Sequence, residues 1–210
     1  MSDKKYWEEI YYKNLKESEK DFIKDVWMVK YKSIICNVKN KKALDLGCGL
    51  GQDSVWLIQN GFDVTSCDFS EKALKKFKEI YPKANIMNFD ITNGLPFEDN
   101  SLGLVNANLS LHYFDLKKTI EIFDEIYNIL EQGGLFIGRM NSDKNDYIDD
   151  NFIELEKKFY YDKLNNQHKR LFNQFQFDLL TNKWKVIILK EDETIRKGRK
   201  KYTWEFVLQK

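Results

Sequence analysis

Three glycines in alternating positions, Gly47, Gly49 and Gly51, follow a short apolar run and precede a second apolar-periodic segment. The run over residues 43–46 is typical of a buried strand. Glycine adopts backbone angles that other residues avoid, and it lets a ligand lie directly on the main chain. A strand, a glycine turn and a helix N-terminus together predict a site for a nucleotide-like ligand.

The spacing of these glycines separates two kinds of ligand. A dinucleotide fingerprint has the pattern G-x-G-x-x-G, in which the third glycine packs a helix on a strand. This chain has the pattern G-x-G-x-G instead, preceded by Asp45. Cys48 within the loop is interpreted as a small residue rather than as a nucleophile. An ordinary glycine turn in another kind of α/β protein is the alternative.

An acidic residue ends the second predicted strand, which covers residues 62–68. Asp68 lies about twenty residues past Gly47, the spacing expected of a strand-end carboxylate that accepts hydrogen bonds from ribose hydroxyls. The alternative is that Asp68 only caps the following helix, which begins at Ser70. The spacing and the strand-end position both favour ligand binding.

A histidine and a tyrosine, His112 and Tyr113, follow the fourth predicted strand. A doubly wound sheet opens its crevice at the carboxyl ends of its central strands, so this segment faces both a bound ligand and its reaction partner. Histidine is the usual proton acceptor near neutral pH. Both residues are therefore candidates for general-base catalysis. The alternative is that they pack against the ligand or cap the next helix.

Several motifs fall in register between residues 43 and 140, and together they resemble class I S-adenosylmethionine-dependent methyltransferases. The motifs are Asp-Leu-Gly-Cys-Gly-Leu-Gly at residues 45–51, the acid Asp68, the turn-rich segment at residues 93–100, and Leu-Glu-Gln-Gly-Gly before the fifth strand. The family usually has an aspartate at the position of Gly103, a departure that leaves the predicted strand undisturbed. The resemblance is closest to small, single-domain bacterial members of unassigned substrate.

The resemblance implies a site for S-adenosylmethionine. In the family, the acid at the position of Asp68 binds the ribose, the next residue packs against adenine, and the acid at the position of Asp90 contacts the adenine amino group. For Asp90 the initiation of a loop is an equal alternative. The implied cofactor-binding residues are Asp45, Gly47, Cys48, Gly49, Asp53, Asp68, Phe69, Asp90, Ile91, Asn108 and Leu109.

The pocket for the methyl acceptor is predicted from two segments. In many members that act on small molecules the N-terminal segment covers the active site, and here it contains Tyr6, Trp7 and Tyr11. Arg139 and Asn141 follow the fifth strand and are the other candidates. The alternatives are a helical cap packed on the sheet for the first segment, and a salt bridge or a solvated loop for the second.

The expected fold is a Rossmann-like, doubly wound α/β sheet of seven strands, mostly parallel with an antiparallel last strand and helices on both faces. A single domain over residues 1–210 is expected, with an N-terminal helical cap (1–40), a cofactor-binding core (41–140), a substrate-side insertion (141–182) and closing strands (183–210). Two helices are predicted within residues 4–32 and others over 53–60, 70–81, 115–130, 151–165 and 169–181, while residues 191–201 form a charged, solvated hairpin.

Composition narrows the function classes. The chain has 34 basic and 33 acidic residues, so no global field recruits nucleic acid or an anionic membrane. Its three cysteines lack metal-ligand spacing and predict reduced thiols in a cytoplasmic protein without a metal. No apolar run approaches the length needed to span a membrane, and the N-terminus lacks a signal peptide's apolar stretch.

The resemblance predicts methyl transfer to a small-molecule acceptor by a monomer or homodimer. The motif [ND]-P-P-[YF], which enzymes that methylate base or amide nitrogen usually carry after the fourth strand, is absent. An RNA or protein methyltransferase, a non-catalytic S-adenosylmethionine-binding protein and a nicotinamide oxidoreductase are the alternatives. A thiol acceptor needs little help once ionised, whereas a hydroxyl or protonated amine needs a base.

Overall fold

Ten strands and five α-helices lie in residues 26–196 and 198–210, the part of the chain that a computed structural model describes. The strands are β1 (Lys42–Leu46), β2 (Asp63–Asp68), β3 (Asn85–Asn88), β4 (Leu102–Asn108), β5 (Leu130–Asn141), β6 (Phe152–Glu156), β7 (Phe159–Asp162), β8 (Gln167–Arg170), β9 (Lys185–Arg196) and β10 (Arg199–Gln209). The helices are α1 (Lys32–Ile35), α2 (Gln52–Gln59), α3 (Glu71–Ile80), α4 (Leu116–Ile129) and α5 (Gln174–Leu180), with 3-10 turns at Trp27–Tyr31 and Ile91–Asn93.

Seven of these strands form one sheet in the order β3-β2-β1-β4-β5-β10-β9. Strands β1 to β5 pair in parallel, whereas β10 is antiparallel to both of its neighbours. The predicted fold class is therefore confirmed. The strand order reverses between β1 and β4, and a crevice opens at such a point beyond the carboxyl ends of the strands.

Apolar layers cover both faces of this sheet. On one face Trp27 and the residues around it pack with α2 against β1, β4 and β5, and α2 contacts α3 through Val55 and Phe77. On the other face α4 and α5 pack through residues such as Phe123 and Phe177. Because both faces of β1 and β4 are buried, their sequences read as nearly continuous apolar runs.

The helix boundaries in the core follow local signals in the sequence. The Ser70 hydroxyl accepts a hydrogen bond from the Ala73 N–H at the start of α3. The Asp115 carboxylate accepts one from the Lys118 N–H at the start of α4. Gly61 lies just past α2 with φ +87°. A short polar N-cap and a left-handed glycine after the last turn are the expected helix limits.

The insertion after β5 is a small antiparallel sheet, so the helix predicted over residues 151–165 is wrong. Strands β6, β7 and β8 pair in that order. The helix predicted over residues 169–181 is shorter than expected, because Asn173 starts α5 with a capping box. The aromatic run at residues 159–161 suits a strand, since aromatic residues pack well on a half-buried pleated surface.

The charged hairpin predicted over residues 191–201 is present, and its two arms are the paired ends of β9 and β10 rather than a solvated turn alone. Charges of opposite sign face each other across the two strands, as in the contact of 2.9 Å between Lys200 Nζ and Glu193. Opposite charges in cross-strand pairs stabilise a sheet. Trp27 and Tyr31 lie in a buried 3-10 turn, while the remainder of the predicted N-terminal helices lies outside the described residues.

Two kinds of feature are missing from the described part of the chain. None of its helices combines the length and the apolar character needed to traverse a bilayer. Residues 26–196 and 198–210 also contain no group of three or more His, Cys, Asp or Glu side chains placed to hold a metal ion. Cys36, Cys48 and Cys67 are free thiols.

We expect Gly103→Ala to lower the free energy of unfolding by about 1–3 kcal/mol, because a Cβ there would lie 2.0 Å from the Asn40 carbonyl oxygen. Denaturant unfolding would measure the change. Gly133→Ala is the comparison, since its Cβ meets nothing within 4 Å and the cost there, about 1 kcal/mol, comes only from φ +85°. A smaller loss at Gly103 than at Gly133 would contradict this explanation.

Candidate functional site

The glycine loop after β1 has the backbone conformation that its sequence predicts. Gly47, Gly49 and Gly51 all have positive φ, at +76°, +54° and +82°. A Cβ on Gly47 would lie 2.4 Å from the Cβ of Ser110, and one on Gly51 would lie 2.3 Å from the Phe77 ring. Glycine is therefore required here both for the backbone angles and for the space.

Hydrogen bonds join the loops that follow β1, β2 and β4. The Asp68 carboxylate accepts from the Gly49 N–H at 3.0 Å and from the Ser70 N–H at 2.9 Å. The Ser110 hydroxyl donates to the Leu46 carbonyl at 2.6 Å. The ends of these three strands therefore form one structured crevice, and Ser110 is a contributor that sequence reasoning missed.

The Asp68 side chain is buried at the end of β2. Burial raises the pKa of Asp68, while hydrogen bonds from backbone N–H groups oppose the rise. A carboxylate has about four acceptor positions, so two backbone hydrogen bonds leave it able to accept from ribose hydroxyls. Ser70 is the N-cap of α3 through its own hydroxyl, so Asp68 is not needed to cap that helix. Phe69, the next residue, is half-buried.

The Asp45 carboxylate lies behind the glycine loop and is completely surrounded by protein. It accepts hydrogen bonds from the Ser54 hydroxyl and, at 2.7 Å, from the Asn106 side-chain amide. Burial, followed by the charge of Asp53, raises the pKa of Asp45. Burial and the charges of Asp45 and Asp68 also raise the pKa of the Cys48 thiol, which agrees with its interpretation as a small residue rather than a nucleophile.

The Asp53 carboxylate, at the start of α2, accepts hydrogen bonds from three side chains that belong to other elements. They are the Trp27 indole N–H at 3.2 Å and the side-chain amides of Asn106 at 3.2 Å and Asn108 at 2.8 Å. Burial raises the pKa of Asp53, and the charge of Arg139 opposes the rise. Asp53 therefore ties α2 to the carboxyl end of β4.

Arg139, on β5, continues this network. Its Nε donates to the Asn108 side-chain oxygen at 2.9 Å, and its guanidinium carbon lies 5.3 Å from the centre of the Trp27 ring. Asn141, two residues further along β5, is buried and lies on the same face of the sheet. Of the two predicted pocket residues on β5, Arg139 therefore belongs to a polar network, and Asn141 lies at the edge of the crevice.

Two other predicted cofactor positions have local roles. The exposed Asp90 carboxylate accepts from the Thr92 N–H at 2.9 Å and from its hydroxyl at 2.7 Å, which forms the 3-10 turn that Ile91 begins. Leu109 has φ +57° and turns the chain out of β4, and its N–H donates to the Arg139 carbonyl at 2.9 Å. The loop-initiating alternative for Asp90 is thus present in the structure.

His112 is buried in the loop after β4, with its ring centre 4.3 Å from that of Tyr113. Burial, together with the positive charges of Lys201 and Lys169, lowers the pKa of His112 well below its usual range. Its Nδ1 atom has no hydrogen-bond partner in the part of the chain that the structure describes. Burial therefore favours the neutral form of the His112 ring. Tyr6, Trp7 and Tyr11 lie outside the described residues.

The sheet order and the glycine-loop crevice define a Rossmann-like α/β fold with a seventh strand inserted antiparallel. Comparison with known proteins finds methyltransferases of the same form. Residues 44–138 match the protein family described as "Methyltransferase domain". An uncharacterised methyltransferase of Synechocystis is 34% identical over 96 residues, which are 46% of this chain and 45% of that protein. The human mitochondrial protein named arginine-hydroxylase is 37% identical over 101 residues, 47% of this chain and 28% of that protein.

Solved structures share the fold over most of the chain. A methyltransferase from Methanosarcina mazei has a TM-score of 0.72 at 19% identity and covers 84% of this chain and 96% of its own. The 1,6-didemethyltoxoflavin N1-methyltransferase of Burkholderia thailandensis, solved with its acceptor and S-adenosylhomocysteine, has a TM-score of 0.67 at 13% identity, with 98% and 88% covered. The chain spans less than half the length of the two curated relatives. Residues 44–138 are thus similar in sequence to a methyltransferase domain, and the chain shares its fold with these solved methyltransferases.

Proposed function

We propose that this protein transfers a methyl group from S-adenosylmethionine to a small-molecule acceptor. The observation that carries the proposal is the junction of the glycine loop with the Asp68 carboxylate, next to the loop that contains His112. When bound, S-adenosylmethionine supplies an electrophilic methyl carbon, which an acceptor atom attacks while the bond from carbon to sulfur breaks.

The residues of the crevice suit this cofactor in three ways. Asp68 offers acceptor positions to the ribose hydroxyls, and the half-buried Phe69 ring lies next to it in the chain for contact with adenine. The main chain at Gly47 and Gly49 lets the methionine part lie against the backbone. Asp90, Ile91, Asn108 and Leu109 complete the proposed cofactor contacts, while Asp45 and Asp53 position the loop from behind.

His112 is the proposed proton acceptor, with Tyr113 beside it. A neutral imidazole with an unpartnered ring nitrogen can accept the proton that a hydroxyl or amine acceptor loses as its lone pair attacks the methyl carbon. Burial and the charges of Lys201 and Lys169 lower the pKa of His112. The lowered pKa keeps a lone pair free on the ring but also makes it a weaker base than an ordinary histidine.

The charge distribution favours a small acceptor over RNA. Two basic residues in and beside β10 pair with acids, Lys200 with Glu193 at 2.9 Å and Lys30 with Asp192 at 2.9 Å. Proteins that bind nucleic acid use unpaired Lys and Arg to neutralise phosphates. The Burkholderia enzyme, whose structure was solved with a small acceptor, has the same fold.

We expect Asp68→Ala to weaken the binding of S-adenosylmethionine and S-adenosylhomocysteine by about 100-fold or more, because two ribose hydrogen bonds to a charged acceptor are each worth about 1.5 kcal/mol. Calorimetric titration would measure both ligands. Asp63→Ala is the matched control, because Asp63 is exposed at the opposite end of β2. This variant should bind both ligands as the wild type does.

Two results would count against the proposal. Failure of the wild-type protein to bind either ligand would exclude the methyltransferase function. Equal losses in the Asp68 and Asp63 variants would exclude Asp68 as a ribose ligand. Once an acceptor is found, mass spectrometry should detect S-adenosylhomocysteine together with an acceptor that has gained one methyl group. Gain of an oxygen atom, with no S-adenosylhomocysteine formed, would indicate a hydroxylase instead.

A further inference from the structure

Two buried polar atoms without partners lie side by side at the edge of the crevice. Asn141 on β5 and Thr203 on β10 are cross-strand neighbours, and their side chains are only 3% and 2% exposed. Neither Asn141 Oδ1 nor Thr203 Oγ1 has a hydrogen-bond partner in residues 26–196 and 198–210. Burying one such group without a partner costs about 1–3 kcal/mol. Two such atoms on neighbouring strands therefore need an explanation, and a bound ligand that pairs with both would provide one.

The strand pairing brings these two side chains together. The Asn141 carbonyl accepts from the Phe172 N–H at 2.9 Å, so it points away from β10, while the Ser142 N–H donates to the Tyr202 carbonyl at 3.1 Å. Asn141 and Thr203 are therefore a non-hydrogen-bonded pair, the kind in which the two Cα atoms are about 4.5 Å apart and the side chains are close. They nevertheless do not bond to each other.

The pair adjoins the reacting region of the proposed site. Arg139 and Glu205 are cross-strand neighbours two residues before it on the same face, and Arg139 bonds to Asn108 at the end of β4. The segment 170–172 connects the pair to the loop that contains His112. At one end the Arg170 N–H donates to the His112 carbonyl at 2.8 Å, and at the other the Phe172 N–H donates to the Asn141 carbonyl. A molecule bound at the pair would thus border the crevice.

Opposite charges around the pair offset one another. Glu205 contacts Lys30 Nζ at 2.7 Å and accepts from the Tyr31 hydroxyl at 2.7 Å. Asp192, the cross-strand neighbour of Thr203 on β9, contacts the same Lys30 at 2.9 Å. Lys190 Nζ also lies 3.9 Å from Glu205, so two lysines balance these two acids. A charged ligand would therefore gain little there and would lose its hydration. The surroundings therefore favour a neutral ligand.

We propose that Asn141 and Thr203 recognise the methyl acceptor, and that the acceptor presents a neutral lactam or carboxamide edge. The Asn141 oxygen would accept from the N–H of that edge, and the Thr203 hydroxyl would donate to its carbonyl. This proposal deepens the proposed function and rests on it. It assigns the specificity of the reaction to the junction of β5 and β10.

The test uses two variants that preserve side-chain shape, Thr203→Val and Asn141→Leu. Removing an unpartnered buried polar atom should leave the melting temperature unchanged or raise it, since the cost of burial disappears. A merely structural role would lower it. Thr194→Val and Asn128→Leu change exposed residues of the same types and are the controls.

Binding is measured on protein saturated with S-adenosylhomocysteine, by saturation-transfer NMR and titration. The probes are carbostyril, which has a lactam edge, N-methylcarbostyril, which lacks the donor, and quinaldate, an anion of similar size. We expect carbostyril to bind to the wild type and to both control variants. N-methylcarbostyril and quinaldate should bind to the wild type more weakly than carbostyril by about tenfold or more, and carbostyril should bind to the two test variants more weakly by the same factor.

The outcomes separate the two proposals. If S-adenosylhomocysteine binds but carbostyril does not, or if quinaldate binds better, the lactam assignment fails while the methyltransferase function stands. If carbostyril binds equally to Thr203→Val and to the wild type, or if Asn141→Leu binds it unchanged, that residue is not part of the site. If S-adenosylhomocysteine does not bind to the wild type, the proposed function and this inference fail together.

Discussion

Asp45→Asn is expected to be more stable than the wild-type protein by about 2–4 kcal/mol at pH 8 and equally stable to within about 0.5 kcal/mol at about pH 3.5. The change removes a buried negative charge but preserves the shape of the side chain. An asparagine there can still accept from Asn106 through its oxygen, and its amide can donate to the Ser54 hydroxyl. The interactions that position the side chain are therefore retained.

The direction of the effect follows from the pKa of Asp45. Burial and the charge of Asp53 raise that pKa from 3.8 to about 7 in the folded protein. Between these two values the folded state binds more protons than the unfolded state, so the free energy of unfolding falls as the pH rises. The contribution of Asp45 is thus fully present only below its unfolded pKa of 3.8, and it is lost as the pH rises through about 7.

Urea unfolding of both proteins at several pH values between about 3.5 and 8 measures the difference directly. Subtracting the wild type from the variant at each pH removes the contributions of other titrating groups. Asp63→Asn, which changes an exposed acid on the neighbouring strand in the same way, serves as the control. A difference for Asp45→Asn that stays constant with pH would show that the carboxyl is not destabilised by burial.

Much of the fold is predictable from the sequence because its signals are local. The glycines at 47, 49 and 51 have the backbone angles that their spacing implies, and Asp115 starts its helix as an N-cap should. Asp68 ends its strand in contact with the glycine loop, which the spacing from Gly47 also indicates. Each of these features depends on a few neighbouring residues and on the regular progression of strand, helix and strand.

The features that sequence reasoning missed depend on distant contacts. Asn106 bridges Asp45 and Asp53, which precede it by 61 and 53 residues, and only the folded sheet brings them together. Ser110 reaches the Leu46 carbonyl across the crevice in the same way. A polar residue at an inward position of a buried strand, as Asn106 is, was the available signal.

The insertion misled sequence reasoning for a related reason. Its aromatic and charged residues have a weak helical period, and their strand conformation depends on packing against the loop after β4. The insertion is attached there through Arg170, whose N–H donates to the His112 carbonyl. β-propensity reflects such packing more than it reflects the backbone itself, so the segment could not be assigned from its own residues alone.

Arg170→Met is expected to lower the free energy of unfolding by about 2–4 kcal/mol. Arg170 is 1% exposed, and burial lowers its pKa only to about 10, so the guanidinium is charged at neutral pH. It forms an ion pair with Glu156, donates to the Phe114 carbonyl at 3.1 Å and lies 4.8 Å from the centre of the Phe159 ring. Methionine fills part of the space but leaves the carbonyl without its donor.

The loss should exceed that of an exposed ion pair of the same kind. In Lys183→Met the lost contact is with Asp124, and both side chains are about half exposed, so we expect a change below about 0.5 kcal/mol. Glu156 is itself 46% exposed, which lets water solvate it once Arg170 is gone and keeps the expected cost below that of a fully buried pair. Urea unfolding of both variants tests the comparison. Equal losses would mean that Arg170 contributes only as a surface charge, whereas a larger loss in Arg170→Met would identify it as the anchor between the insertion and the loop that carries the proposed base.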